Sequence, residues 1–354
     1  MDKPFQYDKY ATGKDFIGRR RESITIESML RSNQNVLLYD APKTGKGSLI
    51  RHALYDLKIS SYPFIAGHIS LACIRSRDTF LREYASTLLK SAAADDGEAE
   101  DLAGEYLSDT DFEAAALSLP EKLALHFSVP VIVIIEQFQN FMLFDDWEDM
   151  LETLEIAWSG RERATYVLSG SKINAMKDIF ENRKHFYRFA EYVPLEPIDE
   201  KEITEYIIRG FSKGGKIIER DLCLGIARLF ESNCWYINQF LSICDSLSRG
   251  FINEGILVEA LEMLVSAHSL RFREAVDGMT GFQINMLRAI LDGTVKLSSS
   301  DTIEKYGLNS SANVRRLKDA LEKKEIVVFD GDDVPRIIDP LFKYWMKKYY
   351  FAIQ

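Results

Sequence analysis

In the segment LYDAPKTGKGSLI, Leu38 to Ile50, the residues that could do chemistry are Gly45 and Lys46. They match the end of the pattern G-x-x-x-x-G-K-[ST], which cradles phosphates between a strand and a helix. Such a loop works because successive backbone N–H groups and a helix N-terminus converge on phosphate oxygens. The candidate binding segment is therefore Ala41, Pro42, Lys43, Thr44, Gly45, Lys46, Gly47 and Ser48. Gly45 lets the backbone approach closely, and Lys46 supplies a point charge. Two positions depart from the pattern. Asp40 stands at the first glycine, where it ends the strand but opposes phosphate by its charge. Gly47 stands where a Ser or Thr hydroxyl would ligate Mg2+. Ser48 is rotated by about 100° around the helix from that position and should miss a metal.

A second constellation follows the run VIVII, which leads into Glu136, Gln137, Phe138 and Gln139. Nucleoside triphosphatases place an acidic residue at the end of a neighbouring buried strand to hold Mg2+. Glu136 is the candidate metal partner, with a plain strand cap as its structural alternative. Gln137 keeps the shape of glutamate and could orient water, but it cannot accept a proton. The expected ligand is ATP or ADP, with Mg2+ held weakly or dispensable.

These residues need a parallel sheet to position them. NVLLYD (Asn35 to Asp40), FIAGHISLA (Phe64 to Ala72), VPVIVIIEQF (Val129 to Phe138), ATYVLSGS (Ala164 to Ser171) and AEYVPLEPI (Ala190 to Ile198) read as five strands separated by helices. That alternation predicts an α/β fold, a parallel five-stranded sheet with helices on both faces. The small, acidic stretch from Ala92 to Ala116 reads as solvated loop and exposed helix. From Asp199 onward the strands stop and helices dominate, predicting a small helical lid. From Gly278 three helices and the hairpin signal VVFDGDDVPRIIDP predict a winged helix-turn-helix domain. The expected divisions are 1–198 for the nucleotide-binding domain, 199–277 for the lid and 278–354 for the winged helix.

The chain resembles the archaeal-type ATPases of the STAND/AAA+ group, as a degenerate member. FIGRRRE (Phe16 to Glu22) is similar to the family's F-x-G-R-E box, which implies that Ile17 and Gly18 lie near the nucleotide's base. IIEQFQNF resembles its I-D-E-F-Q strand end. YVLSGSKINAMKDIF looks like the sensor strand, which implies Ser169 or Ser171 near the γ-phosphate. FYRFAEYVPLEPI resembles the F-Y-G-R-A segment, with Arg188 or neighbouring Arg183 as arginine finger. IDPLFKYWMKKYYF is similar to the segment after the wing. Asp40, Gly47, Glu136 and Gln137 all depart from the family pattern. The resemblance does not extend to the nuclease-like domain of many relatives, so no nuclease is expected.

Gly47, Glu136 and Gln137 touch the same metal and water. Their combined effect should slow hydrolysis by about 10³ or more, while phosphate binding through the backbone and Lys46 survives. The expectation is a nucleotide-dependent switch or scaffold. Its alternatives are a working ATPase needing self-association or a partner, and a DNA-binding regulator. Trp235 and Tyr236 could face adenine or belong to the core.

Composition narrows the rest. The 354 residues are 46% hydrophobic, enough for real cores. Cys73, Cys223, Cys234 and Cys244 form no C-x-x-C pair, which argues against a disulfide framework or a zinc site. The histidines His52, His68, His126, His185 and His268 show no ligand spacing and read as surface or core. A net charge of −10 disfavours general nucleic-acid binding. With no apolar run long enough for a membrane helix and no apolar leader, the expectation is a cytoplasmic protein. Its partners are expected to be nucleotide and a protein, or a second copy, at the lid or winged helix; DNA is the weaker choice.

Overall fold

All five apolar runs form strands. They are β1 (Val36–Tyr39), β2 (Ile65–Ser70), β3 (Val131–Glu136), β4 (Ala164–Gly170) and β5 (Glu191–Tyr192). The central three, β1, β3 and β4, bury both faces, while β2 and β5 are the edges of the sheet. The computed structural model describes residues 4–107, 111–183 and 185–353. The strands pair in the order β2-β3-β4-β1-β5, and every pairing is parallel. Only β5 is much shorter than its run, because Pro194 and Pro197 have no N–H to continue a ladder.

The chain divides into two compact units. One holds Ala11–Pro42 and Lys46–Glu196; the other holds residues 4–10, Lys43–Gly45 and 197–353. In the first, the helices are α1 (Arg20–Arg31), α2 (Lys46–Ile59), α3 (Arg77–Ala92), α4 (Asp96–Tyr106), α5 (Phe112–Phe127), α6 (Trp147–Trp158) and α7 (Ile173–Lys177). Ile26 and Leu30 of α1 and Leu49, Ile50 and Ala53 of α2 bury one sheet face with Val36, Leu38, Ile132, Ile134 and Val167. Alternation along a strand sends Tyr166 to the opposite face, where it stacks on Trp158, which in turn stacks on Tyr84 of α3. The acidic stretch forms α4, with Leu102 as its buried residue, and the start of α5; residues 108–110 of it lie outside the described residues.

The second unit carries α8 (Glu200–Lys213), β6 (Ile217–Ile218), α9 (Arg220–Leu229), α10 (Cys234–Leu247), β7 (Phe251–Ile252) and α11 (Glu254–Asp277). The parallel β6–β7 pair departs from the expected all-helical region. Two-residue strands are too short to show a period in sequence. Next come α12 (Gly281–Leu291), α13 (Ser300–Tyr306), α14 (Ser311–Lys323), the antiparallel strands β8 (Val327–Phe329) and β9 (Pro335–Ile337), and α15 (Pro340–Trp345). Val314, Leu317 and Leu321 are the buried stripe of α14. The aromatic C-terminal segment is partly core. Phe342 and Trp345 pack on Phe272 of α11, while Tyr349 and Tyr350 are exposed. Among the described residues no helix is long and apolar enough to cross a membrane.

The N-terminal segment is tied into this second unit by Phe5, which is 1% exposed and meets Phe211 edge-on at 4.8 Å. It fits because Gly210 of α8 has no side chain; a Cβ there would lie 2.4 Å from the ring. A Gly→Ala change inside a helix ordinarily gains about 1 kcal/mol, but overpacking costs roughly 1–3 kcal/mol. Gly210→Ala should therefore lower the urea midpoint, and Phe5→Ala should cost about 3–5 kcal/mol. On the Phe5→Ala background Gly210→Ala should become neutral or stabilising, and additive losses in the double variant would contradict this packing.

Candidate functional site

The end of β1 and the start of α2 create a short loop whose conformation is set by Gly45. Its φ is +94°, a region that suits glycine, and a Cβ would meet nothing within 4 Å, so the demand is conformational rather than spatial. Lys46 opens α2 and is 9% exposed. Its Nζ donates to the Asp40 carbonyl at 2.9 Å and the Ala41 carbonyl at 2.6 Å. Burial pushes the ammonium down to about 8; Arg19 adds to that, while Asp40 and Glu136 oppose it. The Asp40 carboxylate accepts the Ala41 N–H at 2.7 Å. It thus caps the loop as well as ending the strand.

Gly47 and Ser48 follow in the first turn of α2, both half-buried. The Ser48 hydroxyl accepts the Ala11 N–H at 3.1 Å, as its rotation away from position 47 requires. The stretch before α1 lies along α2. The Gly13 N–H donates to His52 Nδ1, and the Phe16 ring packs at a tilt against His52, centroids 4.1 Å apart. Ile17 and Gly18 continue that stretch, with Gly18 at φ +64°. Arg19 then donates to the Glu196 carbonyl at 2.8 Å.

Pro42 is exposed and Thr44 half-buried. Lys43, Thr44 and Gly45 group with the second unit. Within that unit the Lys43 ammonium lies over the Trp235 ring, 3.1 Å from its centroid. Tyr236 is buried, and its hydroxyl donates to Asp339 at 2.8 Å and accepts from Arg271. Of the two aromatic candidates, Tyr236 is core.

At the end of β3, Glu136 is flanked by two groups to which sequence reading gave no role. Arg51, one turn beyond Gly47 on α2, donates from Nη1 to Glu136 Oε1 at 3.0 Å and to the Gly47 carbonyl at 3.3 Å. His68 Nε2 is 3.1 Å from the same carboxylate oxygen and 3.3 Å from Arg51 Nη2. The β2–β3 register opposes Ser70 to Glu136, and His68, two residues earlier, shares that sheet face. Burial works to raise the Glu136 carboxyl's pKa, but the hydrogen bonds and charges of His68 and Arg51 outweigh it and hold the pKa below the ordinary value. The helical step from Gly47 to Arg51 was legible, but pairing across β2 and β3 was not.

Gln137 sits in the left-handed region at φ +61°. Its side-chain oxygen accepts from Ser171 Oγ at 2.5 Å and from Gln139 Nε2 at 2.8 Å. Ser169 is buried in β4, opposite Leu38 on one side and Glu136 on the other. The candidates Lys46, Glu136, Gln137 and Ser169 therefore gather at the carboxyl edge of the sheet. Arg188 does not join a described contact there; it is exposed, with its guanidinium over Tyr187. Arg183 pairs with Glu148 at 2.7 Å and Asp178 at 3.0 Å.

This donor set is a poor fit for Mg2+, an ion that takes oxygen ligands. Gly47 has no hydroxyl, Ser48 is engaged by Ala11, and Glu136 is matched by Arg51 and His68. Among the described residues no group of three or more His, Cys, Asp or Glu is placed to hold a metal.

Residues 270–348 match the family model described as "Probable winged helix domain". No curated protein matches the chain by sequence. Among solved structures, the chain is similar to the Walker-type ATPase of Pyrococcus abyssi. The TM-score is 0.71 at 18% identity, covering 97% of this chain and 99% of that one. It is also similar to the ORC2 protein of Aeropyrum pernix in its ADPNP–ADP complexes (TM-score 0.60, 12% identity, 93% of each chain). The ORC1 protein of the same organism in complex with DNA gives TM-score 0.51 at 12% identity, over 96% of this chain and 94% of that one. The fold is that of these Walker-type and ORC-type proteins: a parallel five-stranded α/β sheet followed by helices and a winged helix.

Proposed function

We propose that the chain binds ATP or ADP at the loop after β1 and serves as a nucleotide-dependent switch or scaffold, with hydrolysis slow or lost. The buried Lys46 ammonium carries this reading. It is held by loop carbonyls at a helix N-terminus, where phosphate oxygens would be the stronger partners. Nucleotide in the similar ORC2 structure supports the same use of the fold. In this reading Ala41 to Ser48 take the phosphates, Ile17 and Gly18 lie by the base, and Ser169 lies by the terminal phosphate. Slow hydrolysis rests on Gly47 and on Gln137, whose oxygen already accepts two hydrogen bonds and which is no base. A working ATPase assembled from several copies is the alternative. Arg188 would then be the finger, since Arg183 is held by Glu148 and Asp178.

Calorimetry should give micromolar or tighter binding of ADP or ATP, and Lys46→Ala should weaken it by at least about tenfold, near 1.4 kcal/mol. Absence of heat across a range of temperatures would sink the proposal. A bound phosphate raises the Lys46 pKa above its free value of about 8, so binding takes up a proton above that pH. Affinity should hold below pH 8 and fall above it, by up to about tenfold per pH unit, and this fall should vanish in Lys46→Ala.

Turnover should be near background, and Gly47→Thr with Gln137→Glu should raise it more than either change alone. A wild-type rate above about one per second, ordinary for enzymes, would refute slow hydrolysis.

The winged helix and the DNA complex of a protein of similar fold favour a second reading, DNA binding. Its basic face is partly engaged within the domain. Lys318 pairs with Asp333 of the wing, Asn313 donates to the Leu308 carbonyl at 3.0 Å, and Asp330 accepts the Asp332 and Val334 N–H groups. Wings ordinarily lie against phosphate, and this one carries Asp330, Asp332 and Asp333. A protein contact therefore fits better than DNA. Anisotropy with random duplex at low salt should show no submicromolar binding; tight, steeply salt-dependent binding abolished by Arg315→Glu would reverse that choice.

A further inference from the structure

We propose that Arg51 is a resident cation that takes the place of Mg2+, so that the site accepts the metal-free nucleotide. The inference rests on the nucleotide reading above. In loops of this pattern a divalent ion lies between the hydroxyl after the lysine and an acid at the end of a buried strand. Here the hydroxyl is missing at Gly47, and the guanidinium of Arg51 reaches the backbone oxygen of that same residue and the carboxylate of Glu136. Side chains on a helix lean toward its N-terminus, which is why a residue one turn on can reach back to this place. His68 completes the match on the same oxygen of Glu136. A guanidinium stays charged at any working pH, and its planar fork suits carboxylate and phosphate oxygens together. Below about pH 8 it gives the loop a second positive charge beside that of Lys46. The carboxylate that would draw a metal toward the phosphates is already neutralised.

The test is calorimetry with ADP in excess Mg2+ and in EDTA, on the wild type and on Arg51→Met, which keeps the apolar stem. Wild-type affinity should differ by less than about twofold between the two conditions, whereas Arg51→Met should lose about tenfold or more in EDTA and regain at least about fivefold with Mg2+. Wild-type binding that tightens about tenfold with Mg2+, or Arg51→Met binding like the wild type in EDTA, overturns the inference. If Arg51→Met does not fold, Arg51→Lys answers instead: a loss of about threefold or more in EDTA supports the role of the fork, and wild-type affinity overturns it. A nucleotide-free arm separates this inference from the reading beneath it. Mn2+ followed by electron paramagnetic resonance should be taken up by the Arg51 variant and not by the wild type, and uptake should vanish when Glu136→Gln is added. If no nucleotide binds at all, the functional reading fails, and Mn2+ uptake by the wild type equal to that of the variant still overturns the resident cation.

Discussion

The parallel ladder β3–β4–β1 is the constraint on which the site depends. A strand buried on both faces must pair every backbone N–H and C=O, so its register cannot drift. That register sets Glu136 beside Ser169 and Tyr39 beside Gly170, aligning the carboxyl ends of three strands. The loop bearing Lys46, the acid Glu136 and the Gln137–Gln139–Ser171 cluster consequently emerge along one edge. Open α/β sheets bind ligands at this edge because the following helices turn their N-termini toward it.

Charge matching then decides what the edge can do. Removing one partner of a buried ion pair leaves an uncompensated charge, which costs several kcal/mol. Attraction at about 4 Å and an effective dielectric near 20 returns roughly 4 kcal/mol. Glu136 meets this condition through Arg51 and His68, and Lys46 meets it through carbonyl dipoles. The two solutions differ in kind: Lys46 is held by neutral carbonyl dipoles, whereas Glu136 lies against the Arg51 guanidinium and the His68 ring.

The winged-helix segment applies the same rule at its surface. Lys318 and Asp333 neutralise each other, and Asp330 serves as a turn residue whose carboxylate holds two backbone N–H groups. The acidic wing is thus part of the hairpin's own construction.

Much of this was legible from one chain of residues. The five strands, the glycine–lysine turn before a helix, the α14 stripe of Val314, Leu317 and Leu321, and the hairpin around Asp330 are all local patterns, governed by period and by turn chemistry. Gly47, Glu136 and Gln137 stood out because side-chain type alone says what a position cannot ligate or deprotonate. The β6–β7 pair was invisible because two residues carry no period, and β5 fell short of its run because prolines interrupt it. Arg51 and His68 escaped notice because each is ordinary in its own element: one is a helix cation and the other an isolated strand histidine. Only pairing β2 with β3, and carrying α2 back past Gly47, brings them to a single carboxylate oxygen. Sequence by itself determined which groups this edge lacks, because absence of a hydroxyl or a base is a property of one residue. The tertiary structure decided which groups lie against Glu136, because contacts between α2, β2 and β3 exist only where the ladder puts them within reach.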